Sequence, residues 1–310
     1  MTFREDSWEP FPSPRPYHAS MTTKISLAVI GLAAISSSTA IARDSDRSWS
    51  KSYPVTGKPT LTLETSDASV EFHPCEACGE IRIHVEVVGQ KLSDYRLDEG
   101  QSGDGVHFLF KELHHIGVHI TWHREQTRVT VETPAQLTLE AKTSDGNVTL
   151  AGLQGELNLT TSDGDIAIDH VSGDLRIKSG DGNVKITNAE GAIDARTSDG
   201  RLTVDGLFHA VALHTTDGTL ALNLRQGTRL TEASTIQSSD GSVTLHVPHN
   251  LAVDLDVHTG DGHVDCALPV TMDHYRTGGG DAHELHGKLN GGGVPLTIRT
   301  RDGNVKIVQI

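Results

Sequence analysis

The chain has 310 residues, room for one long domain or two average ones, and a formal net charge of −15 from 26 Lys and Arg against 41 Asp and Glu. That balance, with no basic run in the linear sequence, argues against nucleic acid and anionic membrane surfaces as partners, because both reward Lys/Arg patches. Aromatic residues are 4% and 31 residues are Gly, so a core of large rings is excluded and a thin aliphatic core is expected.

Residues 1–20 (MTFREDSWEPFPSPRPYHAS) do not read as a signal but as an upstream extension, with Met21 as the start. The alternative is a long charged leader to the segment that follows. From Met21 one Lys precedes an apolar stretch from Ile25 to Ile35, and Ala40-Ile41-Ala42 supplies an A-x-A cleavage site. Residues 21–42 are therefore expected to be a secretory signal peptide, cut after Ala42. The apolar run is too short for a membrane helix, the residue directly after the cut is Arg43 and not the Cys of a lipoprotein, and no second apolar segment offers stable membrane insertion. The expected location is periplasmic, secreted or at the cell surface.

Residues 43–58 read as a flexible linker. Residues 59–135 alternate in polarity without a strict period ("TLTLETSDASVEF", "EIRIHVEVV", "TRVTVETP") and are expected to form an N-terminal β cap. Cys75-Glu-Ala-Cys78 lies in this segment. In an exported chain the pair is expected to be a local disulfide, since a redox site wants a βαβ context and zinc wants further ligands. His107, His114, His115, His119 and His123 raise a Zn²⁺ or Cu²⁺ site. Their spacing matches no zinc motif, so they are read as polar-face residues of the cap.

From residue 136 a repeat sets the structure. An Asp-Gly phrase with Ser or Thr one or two residues before the Asp places Asp145, Asp163, Asp181, Asp199 and Asp217 at steps of 18 residues, and it returns at Asp240, Asp261 and Asp302 with wider spacing. "TSDASVEF" around Asp67 is a weaker copy. Apolar residues alternate after each phrase, as in Val148/Leu150, Ile166/Ile168 and Val184/Ile186, and again in Leu157/Leu159, Leu175/Ile177 and Ile193/Ala195. Period-2 runs this short, bounded by Asp-Gly or Gly, are strands. Without crossover helices they must stack on their own equivalents. The expected fold is all-β: a single-stranded parallel β-solenoid with coils of about 18 residues, right-handed by the general rule for parallel connections. Whether each coil has two sides or three is left open. Gly146, Gly164, Gly182, Gly200 and Gly218 are expected to turn the corner through positive φ. The Asp would accept a backbone N–H two residues on, and the Thr or Ser before it would point inward to a hydroxyl ladder. Cys266 is read as a buried small apolar residue. Residues 268–294, with two Gly-Gly-Gly runs, read as an irregular insertion, and residues 295–310 as a last coil.

The signal, the cap, the S/T-D-G coils and the ending "GGGVPLTIRTRDGNVKI" resemble the DUF4097 family of adhesin-like proteins over residues 50–310. The resemblance implies a β-solenoid exported to, or displayed in, the bacterial envelope, and it carries no catalytic constellation or cofactor.

Stacked Asp145, Asp163, Asp181, Asp199 and Asp217 raise a Ca²⁺ ladder, since Ca²⁺ takes clustered oxygen ligands. Turn capping is the preferred reading, so no metal and no cofactor are expected. A non-enzymatic adhesin-like module is expected, presenting polar ladders (Asn147, Thr149, Asn158, Thr160) to a glycan, envelope polymer or protein. The alternatives are a self-assembling scaffold and a polysaccharide-active β-helix enzyme. Short coils and tight turns leave the enzyme little room for a cleft.

Overall fold

The computed structural model describes residues 46–113, 127–278 and 281–310. The expected extension, signal peptide and cleavage site fall outside these residues, as do His114, His115, His119 and His123. The described part lies in the compact unit Ala40–Ile310.

Short alternating runs become strands throughout. The N-terminal strands are β1 (Ser48–Pro54), β2 (Thr60–Thr65), β3 (Ser69–Cys75), β4 (Glu80–Glu86), β5 (Tyr95–Ser102), β6 (Gly105–Glu112) and β7 (Arg128–Pro134). The regular coils hold β8 (Gln136–Lys142), β9 (Val148–Ala151), β10 (Gln154–Thr160), β11 (Ile166–Asp169), β12 (Ser172–Ser179), β13 (Val184–Thr197), β14 (Leu202–Thr215), β15 (Leu220–Leu224), β16 (Ser234–Ser238) and β17 (Val243–Val247). The C-terminal strands are β18 (Val253–Thr259), β19 (Val264–Cys266), β20 (Thr271–Gly278), β21 (Asp281–Leu289), β22 (Val294–Thr300) and β23 (Val305–Gln309). One 3₁₀ turn, Leu92–Asp94, is the only helical element among the described residues.

Each coil contributes one strand to each of two facing rows. On the first face Leu157 pairs with Leu175 and Leu175 with Ile193, and on the second Ile166 pairs with Val184 and Val184 with Leu202, all parallel. These partners lie 18 residues apart, so equivalent apolar residues stack on one another. One inward row runs Val70, Val148, Ile166, Val184, Leu202, Leu220, Val243, Val305 and Val264, and all of them are buried. The core of the regular coils is thus a set of aliphatic columns, whereas the N-terminal cap, against expectation, buries Tyr53, Phe72, Phe108 and Phe110, with Trp49 stacked on Phe108 and Tyr95 on Phe110.

Both ends of the stack depart from chain order. At the start, β2–β3 lies between β6–β7 and β8–β9, parallel to each. The weak copy around Asp67 is therefore the coil directly beneath the first regular one. At the end, β22–β23 lies between β16–β17 and β18–β19. The last coil in sequence is not the last in space. Residues 268–294, expected to be irregular, contain the antiparallel pair β20–β21, and β21 pairs with β18. At the other end β5 pairs antiparallel with β6, β4 with β7 and β1 with β4. Antiparallel strands placed this way occupy edges that would otherwise template aggregation.

Candidate functional site

The corner chemistry differs from expectation in two respects. The repeat glycines do not use positive φ, since none of Gly146, Gly164, Gly182, Gly200 or Gly218 has it. They are required by close approach. A Cβ on Gly164, Gly182, Gly200 or Gly218 would lie 2.1, 2.1, 2.0 and 1.9 Å from the carbonyl oxygen of the corner glycine one coil below. On Gly146 it would lie 1.9 Å from the carbonyl of Ala68. Positive φ belongs instead to Gly155, Gly173 and Gly191 at the opposite corner.

The N–H two residues after the Asp, expected to reach its carboxylate, donates instead to a side chain of the coil below, Asp165 N to Asn147 Oδ1 and Asn183 N to Asp165 Oδ1, and the Gly N–H goes to the inward Thr. Gly146, Gly164 and Gly218 donate to the Oγ1 of Thr143, Thr161 and Thr215, three residues back, at 3.2, 3.1 and 3.2 Å. Thr161 Oγ1 in turn donates to Ser144 O (3.1 Å) and Thr215 Oγ1 to Ser198 O (3.3 Å) in the coil below. The inward hydroxyl therefore ties its own turn to the neighbouring coil. Hydroxyl to hydroxyl, the form expected, is seen at Thr65–Thr143 (3.1 Å).

Asp145, Asp163, Asp181, Asp199 and Asp217 are all exposed, and at the Asp181 corner the inward residue is Ser179, whose Oγ donates to Gly182 O (3.3 Å). Among the described residues no group of three or more His, Cys, Asp or Glu side chains is placed to hold a metal ion. Asp67, below Asp145, is held above the usual carboxylate range by burial, by the Asp145 charge and by Glu112. Cys75 and Cys78 are joined as a disulfide, with Cα atoms 5.7 Å apart. Cys266 is a free, half-buried thiol whose pKa is raised by burial. His107 sits on β6 opposite Gly100 of β5, where its ring occupies the space a Cβ would need.

The polar ladder divides between the faces. Asn147 is engaged internally: its Oδ1 accepts from Asp165 N (2.9 Å), Asp165 Oδ1 from Asn183 N (2.8 Å), and Asn183 Oδ1 from Arg201 N (3.2 Å). Thr149 stands on the second face. At the corner beyond it Asp169 accepts from Thr187, Asn188 and His170, each at 2.7 Å, which holds its carboxyl far below the usual range. Asn158 and Thr160 stand on the first face beside Arg176, Lys178 and Arg196.

That first face carries a feature absent from the linear sequence. Register aligns Lys142, Thr160, Lys178, Arg196, His214, Gln237, Arg299 and His258 in one outward row across eight coils. Six of these eight are Lys, Arg or His. The flanking row holds partners for some: Glu140 to Lys142 (2.6 Å), Asp194 to Arg196 (3.1 Å) and Asp256 to Arg299 (2.6 Å). Beside the row lies a shallow hollow of about 380 Å³, lined by alanines (Ala192, Ala210, Ala212, Ala233) together with Arg176, His209 and the acids Asp174, Asp194 and Glu232. No aromatic side chain lines it.

The model of the Toastrack DUF4097 family matches residues 59–308. The chain belongs to that family. No curated protein matches this Toastrack chain. Among solved structures it is similar to a "putative cell adhesion protein" from Clostridium sporogenes ATCC 15579, at 10% identity over 84% of this chain and 99% of that one, with a TM-score of 0.26. It is similar to a "putative adhesin" from Bacteroides fragilis NCTC 9343, at 8% identity over 85% and 98%, with a TM-score of 0.40. A "putative lipid binding protein" from Parabacteroides distasonis ATCC 8503 is similar at 12% identity over 84% and 97%, with a TM-score of 0.46. Among the described residues no helix is long and apolar enough to cross a membrane.

Proposed function

We propose that this Toastrack protein is an exported, non-enzymatic, adhesin-like binding module of the bacterial envelope. Its ligand is a linear envelope polymer bearing carboxylates or phosphates, lying along the basic row of the first face. The observation that carries this reading is the row itself. In a chain of net charge −15, cations from coils far apart in sequence converge on one line. Neighbouring strands lie about 4.8 Å apart, so the row repeats at a spacing that a regular polymer can follow. Arg offers paired donors to carboxylate or phosphate. The adjacent hollow, with its alanines, admits chain bulk without displacing a core residue. Sugar-ring stacking has no support there, because the hollow lacks aromatic rings. Export rests on the signal-like residues 21–42, and the winding is taken as right-handed.

The tight Thr-Asp-Gly corners build no loop-walled cleft, which supports binding over catalysis. End-to-end stacking into filaments is less favoured, because antiparallel strands occupy the ends of the first face. The test is a pull-down of residues 43–310 with isolated peptidoglycan sacculi and outer membrane, each with and without EDTA and at rising salt. The expected result is saturable retention by one fraction, weakened by salt because exposed charges are screened, and unchanged by EDTA. Loss with EDTA would instead implicate cations bridged by the outward Asp column. No retention by either fraction would overturn the proposal.

A further inference from the structure

The corner glycines reveal a slot within the stack. A Cβ on Gly303 would meet the carbonyl of Gly241, and one on Gly262 would meet the carbonyl of Gly303. The coil β22–β23 thus separates two coils that precede it in the chain, and β16 has no direct pairing with β18. The slot is filled by the final stretch of the sequence. It is joined to β21 through Asn290 (φ 51°), Gly291 (φ 88°), Gly292 (φ 86°) and Gly293.

We propose that this C-terminal coil is exchangeable, and that the slot accepts the same coil from a second copy of the chain. The walls of the slot specify that occupant. Leu296, Ile298, Val305 and Ile307 supply its buried columns. Thr300 Oγ1 donates to Ser239 O (3.3 Å) on one side, and Asn304 Oδ1 accepts from His263 N (3.1 Å) on the other. Arg301 bonds Asp240 across the corner. Only a strand pair with glycine at position 303 fits between Gly241 and Gly262. The inserted phrase DGNVKI (302–307) also stands at 181–186 within the stack, so the slot demands a true repeat unit.

During synthesis this coil is made after both coils that it separates, and the slot stays open until it arrives. Closure within one chain then competes with closure between chains. In the folding chain, before Asn290 bonds His249 O and Leu251 O, this short glycine-rich tether gives an effective concentration on the order of mM. Exchange therefore requires copies crowded to a comparable level, and reciprocal exchange yields a closed pair, since swapping of an identical element is a low-cost route to dimers. A pair carries two basic rows and gains avidity for a repeating ligand without any new contact.

The test uses Thr244 and Lys306, which are register partners on β17 and β23. One population of the full chain carries Thr244→Cys and the other Lys306→Cys, both with Cys266→Ser. The two are unfolded together without reductant and refolded in one series from about µM to about mM. The expected product is a disulfide-linked heterodimer whose share rises with concentration. The Thr244→Cys, Lys306→Cys double variant should close within one chain at the low end of the series, which shows that the two positions bond in the native register, and should give linked dimers at the high end. Absence of heterodimer at the upper limit, while the double variant closes, would overturn the exchange. No ligand is involved, so this outcome is independent of the pull-down.

Discussion

At the scale of the residue, one inward Thr or Ser and one Gly mark each corner. Gly182→Val forces atoms into space already occupied by the carbonyl of Gly164, 2.1 Å from the would-be Cβ, and backbone cannot give way there as a flexible side chain can. A loss of more than about 3 kcal/mol is expected. Asn183→Val, one residue on, removes the acceptor for Arg201 N and should cost about 1 kcal/mol. Equal melting temperatures for the two variants would contradict the close-approach account. Thr161→Val leaves the buried Gly164 N–H without its acceptor and should cost about 1–3 kcal/mol, whereas Thr161→Ser should recover most of that in urea titrations. Asp67 gives a pH signature. Its folded pKa is raised, so the folded state holds the proton more tightly, and the group's contribution to stability falls as pH rises from the unfolded value of about 3.9 through the folded one. Asp67→Asn should raise the melting temperature at pH 7 and lose that advantage below pH of about 3.9; a lower melting temperature at pH 7 would count against it. The inward Thr and the need for Gly were legible from the repeat. The reason for the Gly was not, because stacking distance is a relation between coils and φ is a property of one.

At the scale of the element, the strand pattern was open to reading because each apolar alternation has one buried face. Leu157, Leu175 and Ile193 all lie where period 2 and the 18-residue step place them. The position of β22–β23 was hidden. The step of 41 residues from Asp261 to Asp302 reads as an insertion at 268–294 before a last coil, and nothing local to "TRDGNVKI" says which neighbours it takes. Pairing on both sides makes this terminal coil an interior element. Ile307 is fully buried, and Ile307→Ala should cost about 2–5 kcal/mol, the range of a mid-stack core residue rather than of a fraying end. A loss below about 1 kcal/mol in equilibrium unfolding would show that the end frays instead.

At the scale of the whole molecule, the proposed ligand rests on the basic row, which gives an acidic chain one line of Lys, Arg and His suited to an acidic polymer. No window of consecutive residues contains it. Lys142, Lys178, Arg196 and His214 become neighbours only when the sequence is folded at its own 18-residue period, and Arg299 and His258 join only through the displaced last coil. A search for linear clusters therefore missed it, although reading down the repeat would have found its first half. The direct measurement is co-sedimentation of residues 43–310 with the retaining envelope fraction, comparing two charge-matched variants. Lys178→Glu with Arg196→Glu reverses the row. Lys185→Glu with Lys306→Glu makes the same change of net charge with residues of β13 and β23 on the second face. The account predicts at least a tenfold weaker affinity, about 1.4 kcal/mol, for the first variant and near-unchanged binding for the second. Equal loss in both, or loss in neither, would contradict a ligand site on the first face.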